Sequence, residues 1–247
     1  DLLSGGLYYA VTAPGQVAVV APPQEAEPYE GVVIIPETVC LDGVTQHVTT
    51  IGDAAFAGSE VTCVQVPPSV TRIGEAAFAM TRSLHSVSLP VGLLEVSDRL
   101  LMGSAVTNVA VPEGVWVIGR EAFAACDQLH TLLLPSTTRV LGPGCLDDCY
   151  NLFEIYCAAP LPPRQADNRV FDGCRGVDVI VPDDAAATAY RKADGWTDSD
   201  ALSLWTSGDF SQWVEVGHDT GDDHWQRLDL GQNVAYRVFD DAGQMLA

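Results

Sequence analysis

A six-residue pattern recurs along this chain at almost constant spacing, and no other feature restricts the fold so strongly. Ile51-Gly52-Asp53-Ala54-Ala55-Phe56 returns as Ile73-Gly74-Glu75-Ala76-Ala77-Phe78 and as Ile118-Gly119-Arg120-Glu121-Ala122-Phe123. Two looser copies, Val96-Ser97-Asp98-Arg99-Leu100-Leu101 and Leu141-Gly142-Pro143-Gly144-Cys145-Leu146, fill the gaps, so the steps are 22, 23, 22 and 23 residues. Each copy is preceded or followed by a short β-type run closed by proline: Val64-Gln65-Val66-Pro67, Val87-Ser88-Leu89-Pro90, Val109-Ala110-Val111-Pro112 and Leu132-Leu133-Leu134-Pro135. A fixed period of this length is the signature of a solenoid, in which one unit cannot cover its own apolar face and stacked units bury one another.

The residue types define one unit. The run ending in proline alternates apolar and other residues, as a strand with one buried face does. Proline lacks the N–H that further pairing needs, so it closes the strand in every coil. The Ile-Gly-x-x-Ala-Phe piece is too short for a long helix and suits a tight turn with Ile, Ala and Phe inward. Three residues after the Phe or Leu stand Ser59, Thr81, Ser104, Cys126, Cys149 and Cys174. All are small and carry a hydroxyl or thiol, which predicts an inward slot where they bond the backbone of an adjacent coil.

This pattern, Ile-Gly-x-x-Ala-Phe-x-x-Cys-x-x-Leu-x-x-Val-x-Leu-Pro, resembles the BspA-like (Treponema pallidum-type) leucine-rich repeats of surface proteins from Bacteroidetes and other host-associated microbes. The flanks resemble the family too. Leu7-Tyr8-Tyr9, Tyr29 to Pro36 and Val48 to Gly52 are similar to its opening hairpin; Ile155 to Pro160, Phe171 to Cys174, Val179 to Pro182 and Ala189 to Trp196 are similar to its closing coils. The resemblance implies an α/β solenoid: a leucine-rich repeat with a parallel β-sheet on one face, short turns or helices on the other, and a β-rich N-terminal cap. It also implies a secreted or cell-surface setting and a role in adhesion. Ser97 and Leu101 in the third copy, and Cys145-Leu146 in the fifth, depart from the pattern and alter packing in single coils.

The expected organisation is an N-terminal β cap over residues 1–50, repeats with a closing coil over 51–196, and an acidic β-type segment over 197–247. The cap reads as strands Leu7 to Val11, Gln16 to Val20 and Gly31 to Ile35. Asp183 to Lys192, Ala-rich between Pro182 and Gly195, reads as a capping helix. In the last segment Trp213 to Val216 and Val234 to Phe239 alternate like strands, and Val234 to Leu246 resembles the terminal hairpin of Bacteroidetes surface-sorting domains.

Charge narrows the partners. The 247 residues carry 33 acids against 12 Lys plus Arg, a net charge of −21, and the segment 197–247 alone contributes −8. Such a surface repels a phosphate backbone, so nucleic acid is not an expected partner. No apolar run approaches the ~20 residues that a membrane-spanning helix needs, so membrane insertion is not expected either. The chain opens without Met and without a basic-then-apolar leader, and the expectation is that a signal segment has been removed.

Motifs for chemistry are sparse. Cys40, Cys63, Cys126, Cys145, Cys149, Cys157 and Cys174 form no Cys-x-x-Cys, and seven thiols cannot all pair within a monomer. No Gly-x-Ser-x-Gly, phosphate loop or His-Glu-x-x-His occurs. His218-Asp219-Thr220-Gly221-Asp222-Asp223-His224 offers oxygen ligands around a glycine but lacks the regular calcium-loop spacing and its closing Glu. It reads as a solvated acidic turn. No catalytic residue, metal site or cofactor is expected, and the chain reads as no enzyme.

The remaining candidate is a surface. Alternation places Gln65, Ser88, Ala110, Leu133 and Tyr156 in one outward column and Cys63, Ser86, Asn108, Thr131 and Glu154 in the next. This strip carries few charges and ends in Leu133, Phe153 and Tyr156, with His85 and His130 bordering it. An uncharged face ending in aromatics on an acidic protein predicts a binding surface. The expected binding residues are therefore His85, His130, Leu133, Phe153 and Tyr156, and the expected partner is a protein or glycan on a host or bacterial surface. The competing expectation is a structural spacer or assembly module of a larger envelope protein, without a ligand of its own.

Overall fold

In the computed structural model the described residues are 2–167, 169–196 and 202–206, together with the backbone strands 224–230 and 233–239. The repeats wind into a parallel-strand β-solenoid of about six turns with little helix. Each coil has three sides. The first carries the proline-terminated strands: Glu30–Ile34, Glu60–Gln65 and Ser86–Ser88 form one parallel ladder. Asn108–Ala110, Thr131–Leu134, Glu154–Cys157, Val177–Val181 and Leu202–Thr206 form the next. The second side holds two-residue strands at the start of each motif, Arg72–Ile73 beside Val44–Ile51, then Glu95–Val96, Val117–Ile118, Val140–Leu141 and Arg164–Gln165. Sequence alternation did not disclose this second sheet, because two residues are too few to show a period.

The third side is turn throughout. Phe56 N–H donates to the Ala77 carbonyl at 2.8 Å, Phe78 to Leu100 at 2.9 Å and Phe123 to Cys145 at 2.9 Å, so coil bonds to coil here as well. Its tightness comes from two left-handed residues per turn. Ala54, Ala76, Arg99, Glu121 and Gly144 form the first such column, with φ between 51° and 59°. Gly58, Met80, Gly103, Ala125, Asp148 and Gly173 form the second. A non-glycine residue in this region costs roughly 1–2 kcal/mol, so the array tolerates a repeated local cost that inter-coil bonding and burial outweigh.

The motif glycine has a different cause. A Cβ on Gly119 would sit 2.7 Å from Asp98 N, and one on Gly142 would sit 2.8 Å from Arg120 N; both are backbone atoms of the preceding coil. Only hydrogen fits. The third copy has Ser97 at this place, and there both ladders stop: Arg72–Ile73 is not paired with Glu95–Val96, nor Ser86–Ser88 with Asn108–Ala110. At this junction the Ser97 hydroxyl donates to the Ile73 carbonyl, while the turns of the same two coils stay bonded, Ala76 N–H to Asp98 O and Phe78 N–H to Leu100 O both at 2.9 Å. Val87 is half-buried where its counterparts are buried.

The inward slot is occupied as the residue types predict. The Cys126 thiol donates to Leu101 O at 3.0 Å, Cys149 to Phe123 O at 3.1 Å and Cys174 to Leu146 O at 3.3 Å, each reaching the preceding coil. Thr81 instead bonds Phe78 O of its own turn at 2.7 Å, and Ser59 Oγ has no partner among the described residues.

The ends differ from the middle. Leu2–Ser4, Leu7–Ala13 and Gln16–Val20 form an antiparallel meander, and Gln16–Val20 pairs in parallel with Val44–Ile51. Thr38–Leu41 folds back on Val44–Ile51 through Asp42-Gly43, both at positive φ, the geometry of a two-residue hairpin turn. The strand expected at Gly31 to Ile35 does not join this meander; as Glu30–Ile34 it begins the solenoid's own parallel ladder. At the other end the helix Asp184–Tyr190 starts at Asp183, whose carboxylate accepts from Ala186 N at 2.8 Å. Tyr190 and Trp196 close the core edge-to-face at 4.9 Å, with the indole N–H donating to Pro163 O at 3.0 Å. Leu202–Thr206 extends the parallel ladder by one strand, and His224–Leu230 pairs with Asn233–Phe239 as an antiparallel hairpin. Trp213 to Val216 lies outside the described residues.

Candidate functional site: the parallel-sheet side

Register fixes the outward columns. Ala110, Leu133, Tyr156 and Ile180 are successive partners, as are Asn108, Thr131, Glu154 and Asp178. At the edge of this side, the residue after each inward Leu or Val gives Thr62, His85, Thr107, His130 and Phe153. His85 N–H donates to Thr62 O at 3.0 Å, His130 to Thr107 O at 2.7 Å and Phe153 to His130 O at 2.9 Å. Five successive coils thus set these side chains in one row.

Two of the five expected residues are brought into contact, Phe153 and His130. The Phe153 ring is 53% exposed and stacks on the His130 imidazole, with centroids 5.6 Å apart and planes 28° apart. Tyr156 is three residues further on, within the strand Glu154–Cys157, half-buried, its hydroxyl donating to Glu154 Oε2 at 2.9 Å. His85 is exposed but two coils away, with Thr107 between it and His130, so the two imidazoles do not converge on a common ligand. Leu133 is corrected: it is only 7% exposed. Its side chain points outward by alternation, yet little of it is open to a partner, and alternation gives a direction without counting neighbours. Ile180, beyond Tyr156 in that column, is buried as well.

The arrangement offers an aromatic platform beside a carboxylate and an imidazole. It offers no activated nucleophile. Burial pushes the thiols of Cys126 and Cys157 up to about 11 and that of Cys174 up to about 12. Cys145 and Cys149 are raised by burial as well. Such thiols stay protonated and unreactive near neutrality. Among the described residues no group of three His, Cys, Asp or Glu side chains could hold a metal ion. The loop from His218 to Asp223 lies outside the described residues.

Sequence reading missed a second exposed row, on the two-residue-strand side. Trp116 N–H donates to Leu94 O at 3.0 Å and Arg139 N–H to Trp116 O at 2.9 Å, which places Leu94, Trp116 and Arg139 on consecutive coils, all exposed. The signal existed in the sequence: each residue stands two before the first residue of a motif copy. It could be used only once that stretch was known to be a sheet.

The geometry can be set against known proteins. A family profile for the "BspA type Leucine rich repeat region" matches six copies over residues 49–178, the same coils that form the ladders. The chain belongs to the BspA-type leucine-rich repeat family. Among solved structures, a leucine-rich repeat protein from Bacteroides ovatus is 23% identical with a TM-score of 0.51, covering 85% of this chain and 68% of that one. The T. pallidum leucine-rich repeat protein is also 23% identical, with a TM-score of 0.56, covering 73% of this chain and 81% of that one. The pneumococcal vaccine antigen PcpA is 14% identical with a TM-score of 0.59, covering 76% of this chain and 51% of that one. At these identities the likeness establishes the fold. No curated protein sequence matches. Membership makes this chain a repeat module of a family typically found at the cell surface. No helix among the described residues is long and apolar enough to cross a membrane.

Proposed function

We propose that this BspA-type solenoid is a non-enzymatic, adhesin-like binding module, secreted or displayed on a bacterial cell, that recognises a surface protein or glycan through its parallel-sheet side. The observation that carries the reading is the stacked Phe153–His130 pair beside Tyr156. Exposed aromatics already held in place lose little freedom on binding, and aromatic residues dominate interface energetics. The acidic turns keep the rod soluble and leave this weakly charged strip as the part that can be desolvated at modest cost.

The test is binding of the intact chain to arrays of glycans and extracellular-matrix proteins, followed by Phe153→Ala/Tyr156→Ala. Loss of at least roughly tenfold in affinity, with an unchanged thermal transition, is the expected result, since central aromatic anchors contribute about 2 kcal/mol or more. Unchanged affinity in the double variant would reject this surface. The near-complete burial of Leu133 and Ile180 favours a second reading, in which the array is a spacer or assembly module without a ligand. Silence on every array together with self-association in sedimentation experiments supports that alternative.

A further inference from the structure

We propose that the outer edge of the strand Glu30–Ile34 is a docking site that takes an extended basic segment of a partner protein as an added β-strand. This strand terminates its ladder: it pairs with Glu60–Gln65 on one edge, and no described strand lies on the other. Ile35 N–H donates inward to Gln65 O at 3.0 Å, so strand alternation aims the N–H and C=O groups of Val32 and Ile34 at the free edge. The side chains of these two residues are 64% and 66% exposed. An open edge with apolar residues is a template for pairing with another chain.

A groove of about 440 Å³ runs beside that edge, lined among others by Leu3, Leu7, Tyr8, Tyr29, Val32 and Ile34. Its shape is fixed by one hydroxyl: Tyr29 accepts from Tyr8 N–H at 2.9 Å and donates to Val20 O at 2.6 Å. The register shifts between Gly31 and Val32, with Thr62 of the partner strand as the extra residue, and the regular stretch that follows is short, so side chains seated in this groove must supply the rest of the affinity. A preformed groove lowers the ordering cost of binding.

Charge selects the occupant. Residues 1–71 hold eight Asp and Glu and no Lys or Arg, and Glu27 and Glu30 line the groove itself. A segment alternating cationic and apolar residues would place its apolar side chains over Val32 and Ile34, while the acidic surroundings of the edge, Glu27 and Glu30 among them, attract its cations. A second copy of this chain is a poor occupant, since each copy carries −21. The site is at the opposite end of the parallel-sheet side from Phe153 and does not depend on the adhesin reading.

The test titrates the intact chain with a short fluorescent peptide of alternating arginine and valine and follows anisotropy. Saturable binding in the micromolar range is expected. Val32→Pro removes an outward N–H and spares the inner ladder, and should weaken binding at least roughly tenfold. Glu27→Lys/Glu30→Lys should do the same and stays informative if the proline variant fails to fold by circular dichroism. Three results would overturn the proposal: equal binding by a peptide N-methylated along its backbone, equal loss in the remote variant Glu113→Lys/Asp127→Lys, or self-association of the chain that competes with the peptide.

Discussion

Gly119→Ala is the sharpest perturbation of the array, because one methyl group meets two backbone atoms of the preceding coil and the carboxylate of Asp98, itself bonded to Arg120 N–H. The added Cβ would lie 2.7 Å from Asp98 N and 2.7 Å from Ser97 C, where ordinary contact begins at 3.4 Å, so the fourth coil must withdraw from the third by about 0.7 Å. That withdrawal stretches two bonds that now measure 2.8 Å, Gly119 N–H to Val96 O and Arg120 N–H to Asp98 Oδ1, beyond hydrogen-bonding range. Each lost bond costs about 1 kcal/mol, and the overpacking adds roughly 1–3 kcal/mol. The expected destabilisation is about 3–5 kcal/mol, a fall in Tm of roughly 6–20 °C for a chain of this size. Urea unfolding by circular dichroism measures it, and native-state hydrogen exchange should show faster exchange at Gly119 and Arg120 than at the matching Gly142. A loss below about 1 kcal/mol would refute the claim that close coil approach, and not turn conformation, selects this glycine.

Two further predictions follow from the turns and the slot. Ala125→Gly, at an exposed left-handed residue with φ 56°, should stabilise the fold by about 0.5–1 kcal/mol, because relief of the side-chain clash exceeds the extra freedom of unfolded glycine; a measured loss of stability would contradict that balance. The buried thiols confer a pH dependence of definite sign. Their folded pKa values, about 11 for Cys126 and Cys157 and about 12 for Cys174, lie above the ordinary 9.0. Their contribution is therefore fully present below pH 9 and lost as pH rises through the folded values. Denaturant midpoints should fall between pH 9 and 12, and Cys126→Ser/Cys157→Ser should flatten that slope; a flat profile in the parent chain would remove the assignment. In the native state Ellman's reagent should reach the exposed Cys40 quickly and the five buried thiols slowly.

The candidate surface was partly legible before the fold was known. Phe153, His130 and Tyr156 follow from the register of the repeat, since a parallel ladder places equivalent residues one above another. Leu133 was misjudged because alternation gives the direction of a side chain and not the height of its neighbours. Leu94, Trp116 and Arg139 went unseen because strands of two residues carry no readable period. Glu30–Ile34 read as part of the cap because its partner, Glu60–Gln65, is some thirty residues away.

What the sequence determined by itself is the coil: its length, the proline that ends each strand, the inward Ile, Ala, Phe and Cys positions, and the cap helix after Pro182. These depend on interactions within one unit or between identical units, so the period displays them. What only the tertiary structure decided is where the stack is interrupted and which edges stay open. The motif shows Ser97 as one departure among several, but that two ladders stop at its junction is seen only in how adjacent coils pair. The free edge at Val32 and Ile34 likewise exists only because of what does not pack beside it.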